Sequence, residues 1–192
     1  MNKFIALILI FIIAPILGGI YGILHDQITY TISTEYYSKF KFIQFGLENW
    51  GLGQNIGTLH NPEIILENPR FGAGIVGILA TWWVGMIIGI ILGFVGLIHL
   101  NGKMMFSTTI KAFILTTGTA LLTGILGLGY GKVFLTENRP NWHFPENLND
   151  YDNFILVGSM HNFSYLGGLI GLIIGIIYSV KQKKKNAIQQ KL

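Results

Sequence analysis

The stretch Leu24-His25-Asp26-Gln27-Ile28-Thr29-Tyr30 is where a long apolar run gives way to polar residues. The run before it, residues 4–24, contains no charged side chain. A helix needs roughly 20 apolar residues to cross the hydrocarbon core of a bilayer. The run therefore predicts a membrane-spanning helix, and the polar stretch predicts the end of that helix, where residues with a chemical function can lie.

Three further apolar runs follow, at residues 71–100, 108–135 and 154–180, and none of them contains Asp, Glu or Arg. Only 11% of the residues are charged and 51% are hydrophobic, whereas soluble domains carry about 25% charged residues. The sequence therefore predicts an all-α polytopic membrane protein, a four-helix transmembrane bundle that forms a single domain over residues 1–192. The chain has no cysteine, which excludes disulfides, thiolate catalysis and Cys-ligated metal sites.

Charged residues divide between the two sides of this four-span arrangement. One side holds basic residues and no acidic ones: Lys3, Lys103, Lys111, Lys181, Lys183, Lys184, Lys185 and Lys191. The other side holds every acidic residue: Asp26, Glu35, Glu48, Glu63, Glu67, Glu137, Glu146, Asp150 and Asp152. Because basic residues concentrate on the cytoplasmic side of membrane proteins, we expect both termini and the tail 181–192 in the cytoplasm, and residues 25–70 and 136–153 outside it.

This distribution explains the basic composition by membrane topology, so the expected partner is the lipid bilayer and not nucleic acid. The abundance of Lys, Ile and Asn points to a bacterial source, and hence to the bacterial cytoplasmic membrane. We expect the first span to be retained as an anchor, because no A-x-A-like cleavage site follows it. A cleaved signal peptide is the alternative.

Each span carries small residues four positions apart, which lets another helix backbone approach closely. The sets are Ala14, Gly18 and Gly22; Gly85, Gly89 and Gly93; Thr116, Ala120 and Gly124; and Gly167, Gly171 and Gly175. This spacing predicts close packing within a bundle, and it equally permits a homo-oligomer or a membrane partner that binds through the glycine faces.

The segment 28–45 has two interpretations. Apolar and polar residues alternate with a period of two, which predicts two short strands that form a β-hairpin within an extracytoplasmic cap. The other interpretation is a helix that begins at Ser33 or Thr34 as its N-cap residue. Further along, Asn61-Pro62 predicts the start of a short helix through Glu67.

The two polar insertions fall at one level of the predicted bundle. At about 1.5 Å per residue, His25 lies about 31 Å above Phe4, and His161 lies about 28 Å above Val180. We therefore predict a ligand or metal site formed by four residues: His25, Asp26, His161 and Asn162. Four further residues are candidates for surrounding it: Glu35, Tyr130, Tyr165 and Trp83. Ionisable side chains inside a membrane span are costly, which favours a function for them.

The leading hypothesis is a small integral membrane protein with an outward-facing polar pocket for a divalent metal or a lipid headgroup, or an accessory subunit. One alternative is a membrane redox or metal-dependent enzyme in which His25 and His161 bind haem or a metal. Another is a purely structural subunit, in which these residues form a hydrogen-bond network that holds the outer segment. The remaining histidines, His60, His99 and His143, are expected in loops or at a helix end. No catalytic motif of a known enzyme class is present, so no catalytic residue is assigned.

Overall fold

The computed structural model describes residues 1–189, with side chains described for residues 1–185. The far end of the predicted cytoplasmic tail, including Lys191, lies outside the described residues. Four long helices dominate the chain: α1 (Lys3–Ile32), α2 (Pro69–Gly96), α3 (Gly102–Tyr130) and α4 (Tyr151–Gln189). All four are long and apolar enough to cross a membrane. The prediction of four membrane-spanning helices is thus supported by length and composition.

The boundaries differ from the prediction most at the ends of α1 and α4. Helix α1 continues through Ile32 and not merely to Leu24, and α4 continues through Gln189 and not merely to Val180. The stretch 25–32 is therefore the last two turns of a helix and not a connecting segment. It remains helical because its polar residues on one face are covered: His25, Asp26 and Thr29 are all buried. The end of α3 continues into a π-helical turn at Gly131–Leu135.

Short polar side chains define where each long helix begins. The Asn2 and Asn101 side chains accept hydrogen bonds from the third backbone N–H that follows each of them, at 2.8 and 3.0 Å. Asn68 does the same for α2, at 3.1 Å, and Pro69 then takes the first helical position. Asp150 accepts from the N–H of residue 153 at 3.0 Å and so caps α4. These are the residues preferred at helix N-termini, because they satisfy otherwise unpaired backbone donors.

The bundle is built from two close helix pairs, α1 with α2 and α3 with α4. The glycines explain how close the helices come. A Cβ atom placed on Gly18 would lie 2.8 Å from the Cα atom of Gly85, and one on Gly171 would lie 2.6 Å from the Thr116 carbonyl oxygen. The Thr81 hydroxyl also donates across the first pair to the Gly18 carbonyl, at 2.8 Å. The glycine spacing thus packs helices against each other within one chain.

The predicted strands in the segment 28–45 are wrong, and the helical interpretation is correct. The Ser33 hydroxyl accepts a hydrogen bond from the Tyr36 N–H at 3.2 Å, and residues 37–41 and 42–44 are helical. The alternating pattern gave the wrong prediction because the burial of residues in this segment is set by contacts with distant parts of the chain. Tyr37 and Phe42 are buried against residues from the ends of α2 and α4 and from the loops.

The helix predicted from Asn61 to Glu67 is also wrong, because a strand occupies its second half. Strand β1 (Gly53–Asn55) pairs antiparallel with β2 (Ile64–Leu66) in a two-stranded sheet. In β2, Ile64 and Leu66 are buried while the residue between them is exposed. That period of two is the pattern of a half-buried strand.

The segment 33–68 and the loop 136–150 form a cap at one end of the bundle. Lys39 is buried and pairs with Glu35, and its ammonium also donates to the Asn147 carbonyl oxygen at 2.6 Å. Glu35 accepts backbone hydrogen bonds from the N–H groups of Asn149 and Asp150 at 3.2 and 2.7 Å. This network joins the two parts of the cap and holds them over the site described next.

Candidate functional site

Three of the four predicted ligand residues converge beneath the cap. His25 and Asp26 lie near the end of α1, and His161 faces them from α4. Their exposed fractions are only 4%, 3% and 8%. One possible ligand atom from each residue lies within 4.8 Å of those of the other two. The sequence-based prediction that these residues share one level is consistent with this geometry.

The orientation of His161 is set by its own helix. Its Nδ1–H donates to the Val157 carbonyl oxygen at 2.9 Å. In a neutral imidazole the other nitrogen is then an acceptor, and this Nε2 atom lies 3.7 Å from Asp26 Oδ1. The Tyr36 ring stacks on the imidazole, with 5.2 Å between ring centroids and 26° between planes. The neutral form of His161 therefore presents a lone pair to a buried carboxylate.

His25 connects the site to α4 from the opposite side. Its Nδ1 lies 3.0 Å from Asp26 Oδ1, and its Nε2 lies 3.1 Å from the Ser164 hydroxyl oxygen. The two imidazole rings meet edge to face, with centroids 4.7 Å apart. Within the described side chains, Asp26 Oδ2 is buried without a hydrogen-bond partner. A buried polar atom without a partner is costly, so this carboxylate has unused capacity to bind a cation.

Two of the three distances between the ligand atoms suit a small metal ion, and the third is at most 4.8 Å. With metal–ligand bonds of about 2.0–2.1 Å, tetrahedral coordination places neighbouring ligand atoms about 3.3 Å apart. The two distances to Asp26 Oδ1, 3.0 and 3.7 Å, lie on either side of that value. Metal-binding histidines also donate their second ring N–H to a fixed acceptor. The Val157 carbonyl and the Ser164 hydroxyl are in place to accept from the two imidazoles.

The cap contributes further contacts that sequence reasoning missed. The Tyr37 hydroxyl lies 2.6 Å from the Thr29 hydroxyl and donates to the Asp26 carbonyl oxygen at 3.2 Å, so the cap is attached to α1 beside the site. Lys41 is buried among aromatic rings, with its Nζ 5.9 Å from the centroid of the Tyr36 ring. Burial lowers the pKa of Lys41, and the Asp26 carboxylate partly opposes that effect.

Ser164 could have been found from sequence, because it lies three residues after His161 and so shares its helix face. The stacking of Tyr36 could not, since it depends on how the cap folds back. Tyr21 is a third residue that was missed. It lies one turn before His25, and its ring centroid is 5.8 Å from that of the imidazole.

The other predicted residues have different surroundings. Asn162 is exposed, because the position after His161 points away from the bundle axis. Glu35 belongs to the cap network. Trp83 and Tyr130 are exposed on the helix surfaces. Tyr165 lies at the edge of the cavity that adjoins the site.

That cavity has a volume of about 240 Å³ and lies between the two helix pairs. His25, Asp26, His161 and Ser164 line one end of it. The site is therefore open toward a space inside the bundle.

No known protein-family model, curated protein or solved structure matches this chain. The functional conclusion accordingly depends on the chemistry of the site.

Proposed function

We propose that this chain is a single-domain, multi-pass membrane protein that binds a divalent transition-metal ion through His25, Asp26 and His161. The observation that carries the proposal is the convergence of two imidazoles and one carboxylate, all buried, with ligand atoms within 4.8 Å of one another. The hydrogen bond from His161 Nδ1 to Val157 supports it, because it directs the other nitrogen toward Asp26.

The donor set favours a transition metal over Ca²⁺ or Mg²⁺. Imidazole nitrogen suits zinc, iron, copper and nickel, whereas the hard cations take oxygen ligands. A haem is disfavoured as the alternative cofactor. The imidazoles of His25 and His161 contact each other edge to face at 4.7 Å between centroids, which leaves no slot for a porphyrin between them.

A metal-dependent membrane enzyme is the second candidate function. Three protein ligands leave a fourth coordination position, and catalytic zinc sites keep such a position for water or substrate. The cavity beside His25 and His161 would give a substrate access to that position. The same metal site serves both candidates, so metal binding is the first question.

The proposed orientation follows from the charges. The lysine-rich side is placed in the cytoplasm by the positive-inside rule, with both termini there. His25 lies 22 residues along α1 from Lys3, which is about 33 Å at the helical rise. The metal site would then lie near the outer surface of a bacterial cytoplasmic membrane, with the cap facing outward.

The experiment is a measurement of bound metal and of the visible spectrum for protein purified from metal-supplemented cells. We expect stoichiometric metal in the wild type and its loss in His25→Ala and His161→Ala. His143→Ala is the matched control, because His143 is exposed on the cap. If the wild type carries no metal while both variants remain folded, the metal function is refuted, and the residues serve as a hydrogen-bond network that joins α1 to α4.

A further inference from the structure

The cavity beside the candidate metal site is apolar along most of its length. It follows α4 from His161 to Leu172, which is about 16 Å at the helical rise. All four helices contribute to its wall, with side chains such as Val84, Ile88 and Phe113. A space with this lining does not hold water well, since buried water needs two to four polar partners.

The threonines in the wall do not make it polar. The Thr81 hydroxyl donates to the Gly18 and Gly77 carbonyl oxygens at 2.8 and 2.7 Å. The Thr116 hydroxyl likewise donates to the Ala112 carbonyl at 3.0 Å. These hydroxyls are occupied by backbone acceptors, so the polar chemistry available to a ligand is concentrated at the end formed by the histidines.

Two buried polar atoms at that end lack hydrogen-bond partners among the described side chains. They are the Tyr21 hydroxyl and Asp26 Oδ2, and both residues line the cavity. Buried polar groups are normally paired. The proposed metal would neutralise the Asp26 carboxylate. A ligand with a small polar head would complete the rest of this end: one oxygen at the fourth coordination position and another that accepts from the Tyr21 hydroxyl.

The position of the cavity entrance indicates from which environment a ligand would enter. Tyr165 and Leu169 line the cavity and are also exposed on the outer surface of α4. The cavity therefore opens sideways, between apolar helices, and not toward the cap. In a membrane this opening faces the hydrocarbon of the bilayer, so the ligand is one that lies among lipid chains.

We propose that the cavity binds a long-chain fatty acid, with its carboxylate on the metal and its hydrocarbon chain in the space between the helix pairs. The position of the head depends on the proposed metal function, whereas the position of the chain does not. The volume of about 240 Å³ exceeds the roughly 150 Å³ of an apolar cavity that holds benzene. It suits part of a single chain better than a two-chain phospholipid.

The test uses the full chain in lipid nanodiscs with nitroxide-labelled stearate and its methyl ester as probes, measured by electron paramagnetic resonance. With zinc bound, we expect the labelled stearate to bind about tenfold or more tightly than the ester, because only the free carboxylate can take the open position. After chelation of zinc, this preference should disappear. Tyr21→Phe should weaken binding of the stearate more than binding of the ester.

The chain position is tested by a matched pair of substitutions. A Cβ atom on Gly168, which lines the cavity, or on Gly118, which is exposed on α3, meets nothing within 4 Å. Gly168→Leu should place its side chain in the cavity and displace several methylenes of the ligand. Binding of both probes should therefore weaken by about tenfold or more. Gly118→Leu should leave binding unchanged.

The outcomes separate the two proposals. If the protein holds metal but Gly168→Leu binds both probes like the wild type, or the metal gives no preference for the carboxylate, the fatty-acid inference is overturned and the metal function stands. If the protein holds no metal, the metal function fails and the proposed head position fails with it. Probe binding that Gly168→Leu removes would then still support a chain in the cavity.

Discussion

The Nε2 atom of His161 lies 3.7 Å from Oδ1 of Asp26, and both side chains are buried between helices that belong to different pairs. With Nδ1–H of a neutral imidazole committed to Val157, two electron-rich atoms face each other across this gap. A bound cation would resolve that repulsion and link α1 to α4. Metal binding should therefore stabilise the packing of one helix pair on the other.

Metal removal should lower the thermal stability of the protein. A ligand that binds only the folded state at about 100 times its dissociation constant stabilises by about 2.7 kcal/mol. We expect zinc to raise the unfolding temperature of the metal-free wild type and to leave that of Asp26→Asn unchanged. Equal shifts in the two proteins, measured by thermal unfolding in detergent, would place the stabilising metal elsewhere.

Ser164→Ala should weaken metal binding without abolishing it. Its hydroxyl lies 3.1 Å from His25 Nε2 and orients that imidazole, and loss of such an outer partner typically costs 10–100-fold in metal affinity. Ser179→Ala is the matched control, because Ser179 makes an equivalent contact to His99 Nε2, at 3.0 Å, on the same helix. Competition titration with a chelating dye gives both affinities, and similar losses would show that the effect is general destabilisation.

The sequence predicts the parts of this site that depend on one helix at a time. Uninterrupted apolar runs identify the four helices, and the constant helical rise brings His25 and His161 to one level. Spacing also accounts for Ser164, which follows His161 by three residues. Asn162 was grouped with them, but it is exposed, because the rotation of about 100° per residue turns position 162 away from the bundle axis. The same rotation leaves both His25 and Asp26 buried on α1.

The parts that depend on tertiary packing were not predictable. The segment 28–45 satisfies a period of two and a helical period about equally well, and burial of Tyr37 and Phe42 decides between them. The position of Tyr36 against His161 follows from that fold and not from local pattern. Similarly, Asn61-Pro62 predicted the start of a short helix. Instead, Ile64 pairs with Asn55 in the two-stranded sheet, so the chain is extended there.

Gly18→Ala should destabilise the α1–α2 pair. The added Cβ would lie 2.8 Å from both the Cα atom of Gly85 and the Thr81 carbonyl oxygen, so the helices must move apart. Such overpacking typically costs about 1–3 kcal/mol. Gly129→Ala is the control, because its Cβ would meet nothing within 4 Å, and its better helix propensity should stabilise by up to about 1 kcal/mol. Unfolding in mixed micelles measures the stability of both variants. Equal changes in the free energy of unfolding would contradict the packing explanation.

The cap should become less stable at low pH, because Glu35 becomes protonated there. Burial raises its pKa, but hydrogen bonds from Lys39, Asn149 and Asp150 outweigh burial and hold the pKa below its ordinary value. A lowered carboxyl pKa stabilises the fold above the ordinary value of about 4.3, and this contribution is lost as the pH falls through the folded-state value. Glu35→Gln should flatten the fall in stability between about pH 5 and pH 3.

The control for this pH dependence is Glu137→Gln, because Glu137 is exposed in the loop after α3. The pH dependence of the stability of this variant should match that of the wild type. Hydrogen exchange of the cap amides, followed against pH, measures the opening directly. An acid-induced opening that persists unchanged in Glu35→Gln would assign the effect to another group.

The chain should present its cap outside the cytoplasm and the turn between α2 and α3 inside it. Because the sequence has no cysteine, single substitutions can be labelled without background. Leu59→Cys lies at a cap position that is 92% exposed, and Lys103→Cys lies at an exposed position in the first turn of α3. An impermeant maleimide should label the first in intact spheroplasts and the second only after permeabilisation. The reverse pattern would place the metal site near the cytoplasm and make a cytoplasmic metal pool its source.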